Sequence, residues 1–123
     1  MPKVVINTKE AIEDAERFGG ILEENGFEIE VPEDPRFRFG LTSDRELIDL
    51  LRGASAVVAG ATPYTSEVLQ DLPDLRVIAR TGVGFDRIDI DAATANNIVV
   101  TVTPNSNYEA VAEHAMALIF AIA

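Results

Sequence analysis

Three residues in the second half of the chain, Gly82-Val83-Gly84, have the types and spacing needed to bind an anion through the main chain. They follow a short apolar run, Val77-Ile78-Ala79, which is typical of a buried strand. Glycine tolerates positive φ and has no Cβ, so a ligand can approach the backbone N–H groups closely. A carboxylate is the anion that we expect such N–H groups to hold. The alternative is that the glycines serve only to make the turn.

The same glycines match a dinucleotide-binding loop only weakly. A G-x-G-x-x-G loop needs a third glycine, and Arg87 occupies that position. His114, the only histidine, lies beside Glu113 in an apolar helical pattern, which favours a packing or hydrogen-bonding role over catalysis. We therefore predict no catalytic residue and no metal site in this chain.

An aromatic-basic patch, Arg36-Phe37-Arg38-Phe39, lies in a proline-containing stretch between residues 32 and 42. Two interpretations are open. The patch could bind a nucleotide base or a phosphate, or it could be a surface loop or lid held by its own aromatic side chains. The net charge of −11 favours the second interpretation.

Composition limits the classes of function. The chain has 123 residues, of which 47% are hydrophobic, and this suits one globular domain. A net charge of −11 repels nucleic acid and anionic membranes, while the absence of cysteine excludes disulfides and zinc–thiolate sites. The longest apolar run, Ala115 to Ala123, is too short to span a bilayer. No signal peptide is visible, so we expect a cytoplasmic protein.

Strand and helix patterns alternate five times along the chain. Strands are predicted near residues 3–8, 27–31, 55–59, 76–80 and 98–102. Helices are predicted at 10–25, 43–52, 89–96 and 108–123, and a further short helix is predicted to open at Thr65 with Val68 and Leu69 on its buried side. Ser43 and Glu46 have the spacing of a capping box, and Thr65 has the position of an N-cap. The pattern predicts a flavodoxin-like, three-layer α/β domain with a five-stranded parallel sheet in the order 2-1-3-4-5.

Ligands of such sheets bind at the carboxyl ends of the strands. Four loops are predicted to meet there: Asn7-Thr8, Gly60-Ala61-Thr62, Thr81 to Gly84, and Pro104 to Asn107.

From about Ser55 to Ala123 the sequence resembles the D-isomer-specific 2-hydroxyacid dehydrogenases, and their phosphoglycerate-dehydrogenase-like members most. The resemblance is carried by three blocks: VAGATPYTSEVL, LRVIARTGVGFDRIDIDAATANNIVVTVTP and NYEAVAEHAMALIFAIA. It implies that residues 1–123 form a single flavodoxin-like substrate domain, truncated before an NAD-binding Rossmann domain. NAD would be the cofactor of the full-length parent, and none is expected for this chain alone.

The resemblance also implies roles for particular residues. The Gly82-Val83-Gly84 loop is similar to the family's substrate-carboxylate loop. Asn107 is similar to an active-site asparagine near substrate and nicotinamide, and so would contact both. The loop at Gly60 and Ala61 is similar to one that reaches over the substrate. Many members carry Arg-Ser where this chain has Ala59-Gly60, which weakens the case for phosphoglycerate as the substrate.

We thus expect the substrate-domain part of an NAD-dependent enzyme that transfers hydride between NAD(H) and a 2-hydroxy or 2-oxo acid. The part would bind the substrate carboxylate and would be inactive alone, because the resemblance implies that the acid–base residues lie further along the parent chain. Two alternatives are a stand-alone domain that senses a small carboxylate and a domain with a purely structural role.

The last helix pattern, Tyr108 to Ala123, is apolar on nearly every face after Glu113. Fully burying one large apolar side chain contributes about 1.5–3 kcal/mol, so we expect this helix to be covered. It could fold back beside the first helix, which we favour, and the chain would then be a monomer. It could instead pair with a second copy to give a homodimer.

Overall fold

A computed structural model describes residues 1–9 and 13–123 of the chain. Five strands form one sheet: β1 (Lys3–Asn7), β2 (Glu28–Glu30), β3 (Ala54–Ala59), β4 (Val77–Arg80) and β5 (Val99–Thr101). All neighbouring strands pair in parallel, in the order β2-β1-β3-β4-β5. The predicted sheet and its strand order are confirmed.

The described helices are α1 (Ala15–Glu24), a 3₁₀ helix (Pro35–Phe39), α2 (Asp44–Leu51), α3 (Ser66–Gln70), α4 (Ile90–Ala95) and α5 (Tyr108–Ile122). The predicted helix at 10–25 falls partly outside the described residues, since residues 10–12 are not among them. The capping box is confirmed: Glu46 N–H donates to Ser43 Oγ at 3.2 Å, and Ser43 N–H donates to Glu46 Oε2 at 2.7 Å. Thr65 also caps α3, as predicted.

The main hydrophobic core lies between one face of the sheet and helices α2, α3 and α4. On the sheet it contains a cross-strand row in which Val5, Val57 and Ile78 are fully buried. The helices contribute the apolar side chains that cover this row: Leu47, Leu51, Val68, Leu69 and Ala93. Because alternate residues of a strand face opposite sides, burying this row fixes the register of the three central strands.

The opposite face of the sheet is only partly covered. Val4 is buried, and Leu22 of α1 lies over the neighbouring strands. Further along the same face, Ala56, Val58 and Val77 line an apolar groove of about 410 Å³. Val99 of β5, which pairs with Val77 and extends the row formed by Ala56 and Val77, is 60% exposed.

Helix α5 does not fold back onto this face, so that prediction is wrong. Every residue of α5 is exposed; Leu118, Ile119 and Phe120 are 51%, 58% and 71% exposed. The physical reason is that α5 is apolar around its circumference, so no single stripe specifies docking against the helix's own domain. Pairing with a second copy stays a prediction. In the described part of the chain no helix is long and apolar enough to span a membrane.

Candidate functional site

A cavity of about 440 Å³ opens at the carboxyl ends of β1, β3 and β4. All six residues singled out from the sequence line it: Gly60, Ala61, Gly82, Val83, Gly84 and Asn107. Its volume lies within the range of small-molecule pockets. The structure therefore brings the predicted residues together, and their role in binding stays a prediction.

The Gly82–Gly84 loop is held by its neighbours while two of its donors remain unused. Thr103 N–H donates to the Gly82 carbonyl at 2.9 Å, which fixes the loop against the segment after β5. Within the described part of the chain, the N–H groups of Val83 and Gly84 donate no hydrogen bond to the protein. Since unpaired amides beside a polar cavity attract hydrogen-bond acceptors, this loop can receive an anion.

The sequence suggested that the glycines of this loop could be needed for positive φ, and the structure shows that they are not. Neither Gly82 nor Gly84 has positive φ, so the turn does not need their conformational freedom. Space is the constraint instead: a Cβ on Gly82 would lie 2.9 Å from Arg80 Nη1. Gly82 thus allows the Arg80 guanidinium to lie directly against the loop.

The floor of the cavity joins the ends of three strands. Gly60 N–H donates to the Asn7 carbonyl at 3.0 Å, and a Cβ on Gly60 would lie 3.2 Å from that oxygen. The hydroxyl groups of Thr8 and Thr81 are 3.0 Å apart, close enough for either to donate to the other. These contacts fix the β3 loop between the ends of β1 and β4, where it borders the cavity.

Three cationic residues that the site prediction missed also line the cavity: Lys9, Arg38 and Arg80. None of the lining residues is acidic. Lys9 follows β1 and Arg80 ends β4, so the rule that ligands bind at strand ends could have found both. Arg38 belongs to the aromatic-basic patch, whose position relative to the sheet had no sequence signal.

The 3₁₀ helix brings Arg38 to the cavity through a chain of hydrogen bonds. Asn7 Nδ2 donates to Thr62 Oγ1 at 3.2 Å, and Thr62 Oγ1 donates to the Phe37 carbonyl at 3.3 Å. Gly40 ends the 3₁₀ helix with φ of 65°, and a Cβ there would lie 3.2 Å from the Ala61 carbonyl. The helix is therefore packed against the loop after β3 and anchored to the end of β1.

The two arginines of the patch have different electrostatic surroundings. Arg36 Nη2 lies 2.7 Å from both Asp34 Oδ2 and Glu46 Oε1. The side-chain hydrogen bonds from Arg36 are the main cause that lowers the pKa of Asp34. The backbone N–H of Ser43, followed by Arg36, lowers the pKa of Glu46. Arg36 is thus neutralised by two carboxylates, whereas Arg38 makes no ion pair with any described residue.

Two further residues considered from the sequence lie outside the cavity lining. Arg87 Nη1 donates to the Ala61 carbonyl at 2.9 Å, so it supports the loop after β3. His114 lies on the exposed helix α5. His114 is not among the residues that line the cavity.

Comparisons with known proteins agree with this architecture. The model of the D-isomer specific 2-hydroxyacid dehydrogenase catalytic domain matches residues 5–119. The chain is 40% identical over 96 residues to the D-3-phosphoglycerate dehydrogenase of Mycobacterium tuberculosis, a match that covers 78% of this chain and 17% of the relative's length. The chain thus spans less than a fifth of the length of these phosphoglycerate dehydrogenases.

Two solved structures are similar over almost the whole chain. An NAD⁺-bound 3-phosphoglycerate dehydrogenase from Entamoeba histolytica has a TM-score of 0.77 and 25% identity, covering 96% of this chain and 38% of that one. An NAD-dependent formate dehydrogenase from Staphylococcus aureus also has a TM-score of 0.77 and 25% identity, covering 97% of this chain and 37% of that one. The fold is therefore shared by relatives whose names give different substrates.

Proposed function

Because this chain belongs to the D-isomer specific 2-hydroxyacid dehydrogenase family, we propose that it forms the substrate-binding part of an NAD-dependent D-2-hydroxyacid dehydrogenase. The cavity at the strand ends holds the carboxylate of a 2-hydroxy or 2-oxo acid. The backbone N–H groups of Val83 and Gly84 donate to that carboxylate, and Asn107, which lines the same cavity, orients the rest of the substrate.

One observation carries this proposal. The amides of Val83 and Gly84 have no protein acceptor in the described part of the chain, and they border a cavity lined by Asn107. A carboxylate oxygen would satisfy both amides at once. A substrate held by fixed main-chain donors loses little further freedom before reaction, which is how a binding domain assists catalysis without supplying an acid or a base.

The residues fit NAD only in part. Asn107 lines the cavity and is the residue that we assign to the nicotinamide side of the substrate. The chain contains no G-x-G-x-x-G loop that could hold the cofactor's pyrophosphate. When bound in a full-length enzyme, NAD would supply hydride transfer. This chain would supply the carboxylate contact and the orientation of the substrate.

Titration of the ¹⁵N-labelled chain with glycolate, followed by NMR, tests the carboxylate site. The amide signals of Val83 and Gly84 should move with a common binding curve. Gly84→Val places a side chain beside these donors and should weaken binding at least tenfold. Gly20→Val is the matched control, because a Cβ on Gly20 meets nothing within 4 Å and lies in α1. Equal binding by both variants, or unmoved signals at Val83 and Gly84, would contradict the proposal.

A further inference from the structure

We propose that Tyr64 is a positioning residue of the carboxylate site, whose hydroxyl group donates a hydrogen bond to Asn7 Oδ1. This bond orients the Asn7 side chain and, through it, the loop after β3 and the 3₁₀ helix, both of which border the cavity. The inference rests on the proposed function, because the binding that Tyr64 assists is that of a carboxylate at Val83 and Gly84.

The Tyr64 side chain carries a polar group into the hydrophobic core. Tyr64 is the largest fully buried side chain among the described residues, and its Oη finds no hydrogen-bond partner among them. Buried tyrosine hydroxyl groups usually have a partner, because an unsatisfied buried donor destabilises the fold. We therefore expect an acceptor for this hydroxyl group close by.

Asn7, the last residue of β1, offers the acceptor that Tyr64 lacks. It is fully buried, and its Nδ2 donates to Thr62 Oγ1 at 3.2 Å. Its Oδ1 has no hydrogen-bond partner within the described part of the chain. A tyrosine hydroxyl group donates and an amide oxygen accepts, so one hydrogen bond satisfies both atoms.

The phenol of Tyr64 also interacts electrostatically with Asn7. Burial raises the pKa of Tyr64, while the Asn7 side chain and the positive charge of Arg80 act to lower it. Asn7 therefore lies near enough to the phenol to affect its ionisation. Since burial dominates, the Tyr64 hydroxyl group keeps its proton at neutral pH and remains a donor.

The backbone of Tyr64 is fixed by the segment that follows the carboxylate loop. Tyr64 N–H donates to the Arg87 carbonyl at 2.8 Å, and Asp89 N–H donates to the Tyr64 carbonyl at 2.9 Å. The tyrosine thus has a fixed position relative to this segment. A hydrogen bond to Asn7 links the segment to the end of β1.

Asn7 transmits the position of Tyr64 to two walls of the cavity. Its carbonyl accepts from Gly60 N–H at 3.0 Å, and its side-chain amide is linked to the Phe37 carbonyl through Thr62 Oγ1. The last side-chain torsion of asparagine is broad, so hydrogen bonds at both ends of the amide hold it better than one. Without the Tyr64 hydroxyl group the amide can turn away from Thr62, and both walls lose their alignment with the carboxylate loop.

Tyr64→Phe removes the hydroxyl group and keeps the ring and the backbone contacts. Glycolate affinity, measured by NMR titration of the ¹⁵N-labelled chain, should fall about three- to tenfold, the usual contribution of one hydrogen bond. Tyr108→Phe is the matched control, because it removes the hydroxyl group of the only other tyrosine, which is exposed on α5. The control should bind within twofold of wild type, and circular dichroism should show that both variants are folded.

A cycle with Asn7→Ala tests whether Tyr64 acts through Asn7. In the Asn7→Ala background, Tyr64→Phe should change glycolate affinity less than twofold, because the acceptor is already gone. A second measurement leaves Asn7 unchanged: its side-chain amide signals should shift or broaden in Tyr64→Phe and stay in place in Tyr108→Phe. An undiminished loss of affinity in the Asn7→Ala background, or unmoved Asn7 signals in Tyr64→Phe, would overturn the proposal.

The same measurements separate failure of this inference from failure of the carboxylate site. If glycolate moves the Val83 and Gly84 signals but binds Tyr64→Phe as tightly as wild type, the positioning role is wrong and the proposed function stands. If the Asn7 signals respond to Tyr64→Phe but glycolate does not bind the wild-type chain, the hydrogen bond exists and the proposed function is wrong. The positioning role is then refuted with it.

Discussion

Removing the Thr62 hydroxyl group should destabilise the whole domain, because this group links β1 to the 3₁₀ helix. Thr62 is 3% exposed; it accepts from Asn7 Nδ2 at 3.2 Å and donates to the Phe37 carbonyl at 3.3 Å. Valine keeps the shape of threonine but can make neither hydrogen bond. Thr62→Val therefore leaves the Asn7 amide, which is fully buried, without this acceptor.

The magnitude follows from the two bonds. Leaving a buried donor unsatisfied costs about 1–3 kcal/mol, and losing the longer bond to Phe37 removes about 0.5–1.5 kcal/mol. Together we expect a loss of about 1.5–4.5 kcal/mol in the free energy of unfolding. A domain of this size has a total of about 6–18 kcal/mol. The melting temperature should fall by about 10 °C.

Urea denaturation followed by circular dichroism measures the effect. The midpoint should fall while the dependence of the free energy on urea concentration stays unchanged. Thr101→Val is the control: this threonine is exposed on β5, and its variant should remain within about 0.5 kcal/mol of wild type. In the double variant Asn7→Ala/Thr62→Val the orphaned donor is gone, so the two losses should not add. Full additivity, or a Thr62→Val variant as stable as the control, would refute the reasoning.

Four other outcomes follow from the structure. Calorimetric titration of the chain with NADH should show no binding, and a micromolar constant would contradict the absence of a dinucleotide loop. Gly82→Ala should remain folded but displace the Arg80 guanidinium, which a Cβ would approach to 2.9 Å; glycolate affinity should fall and thermal stability should change little. The pKa of Glu46 is lowered in the folded chain, so the Glu46 carboxylate stabilises the fold above its unfolded pKa, and this contribution is lost as the pH falls through the folded pKa. Glu46→Gln should therefore be less stable than wild type at pH 7, and the difference in the free energy of unfolding should vanish in acid. Light scattering should show dimers that Phe120→Glu converts to monomers, because the apolar side chains of α5 are exposed in a single chain; a monomeric wild type with this helix intact would contradict that.

Much of the fold could be predicted because its signals are local. Four of the five strands are short apolar runs, and β2 alternates acidic and apolar residues. Each strand is followed by a helical pattern, so a parallel sheet follows from chain connectivity alone. The cap at Ser43 depends on residues three positions apart and was predicted correctly for the same reason. The meeting of Gly60, Gly82 and Asn107 at one cavity follows from the common direction of parallel strands.

The position of Arg38 could not be predicted, because it depends on contacts between distant parts of the chain. The 3₁₀ helix is fixed by Thr62, 25 residues after Phe37, and by the close approach of Gly40 to Ala61. The prediction that α5 folds back was wrong for a different reason: its apolar residues surround the helix, so periodicity gives no preferred face for docking. The sequence also suggested positive φ at Gly82 and Gly84, which neither residue has. The structure shows instead that Gly82 is needed to leave space for the Arg80 side chain.

In the 3₁₀ helix, the residues that anchor the backbone differ from Arg38, which lines the cavity. Asp34, Arg36, the Phe37 carbonyl and Gly40 make the contacts that fix its backbone, and none of them is Arg38. A substitution at position 38 can therefore alter the cavity while leaving the anchoring contacts in place. The wall of the cavity and the stability of the fold can therefore mutate independently in this segment, because the side chain at position 38 can change while the anchors at Asp34, Arg36 and Gly40 are kept.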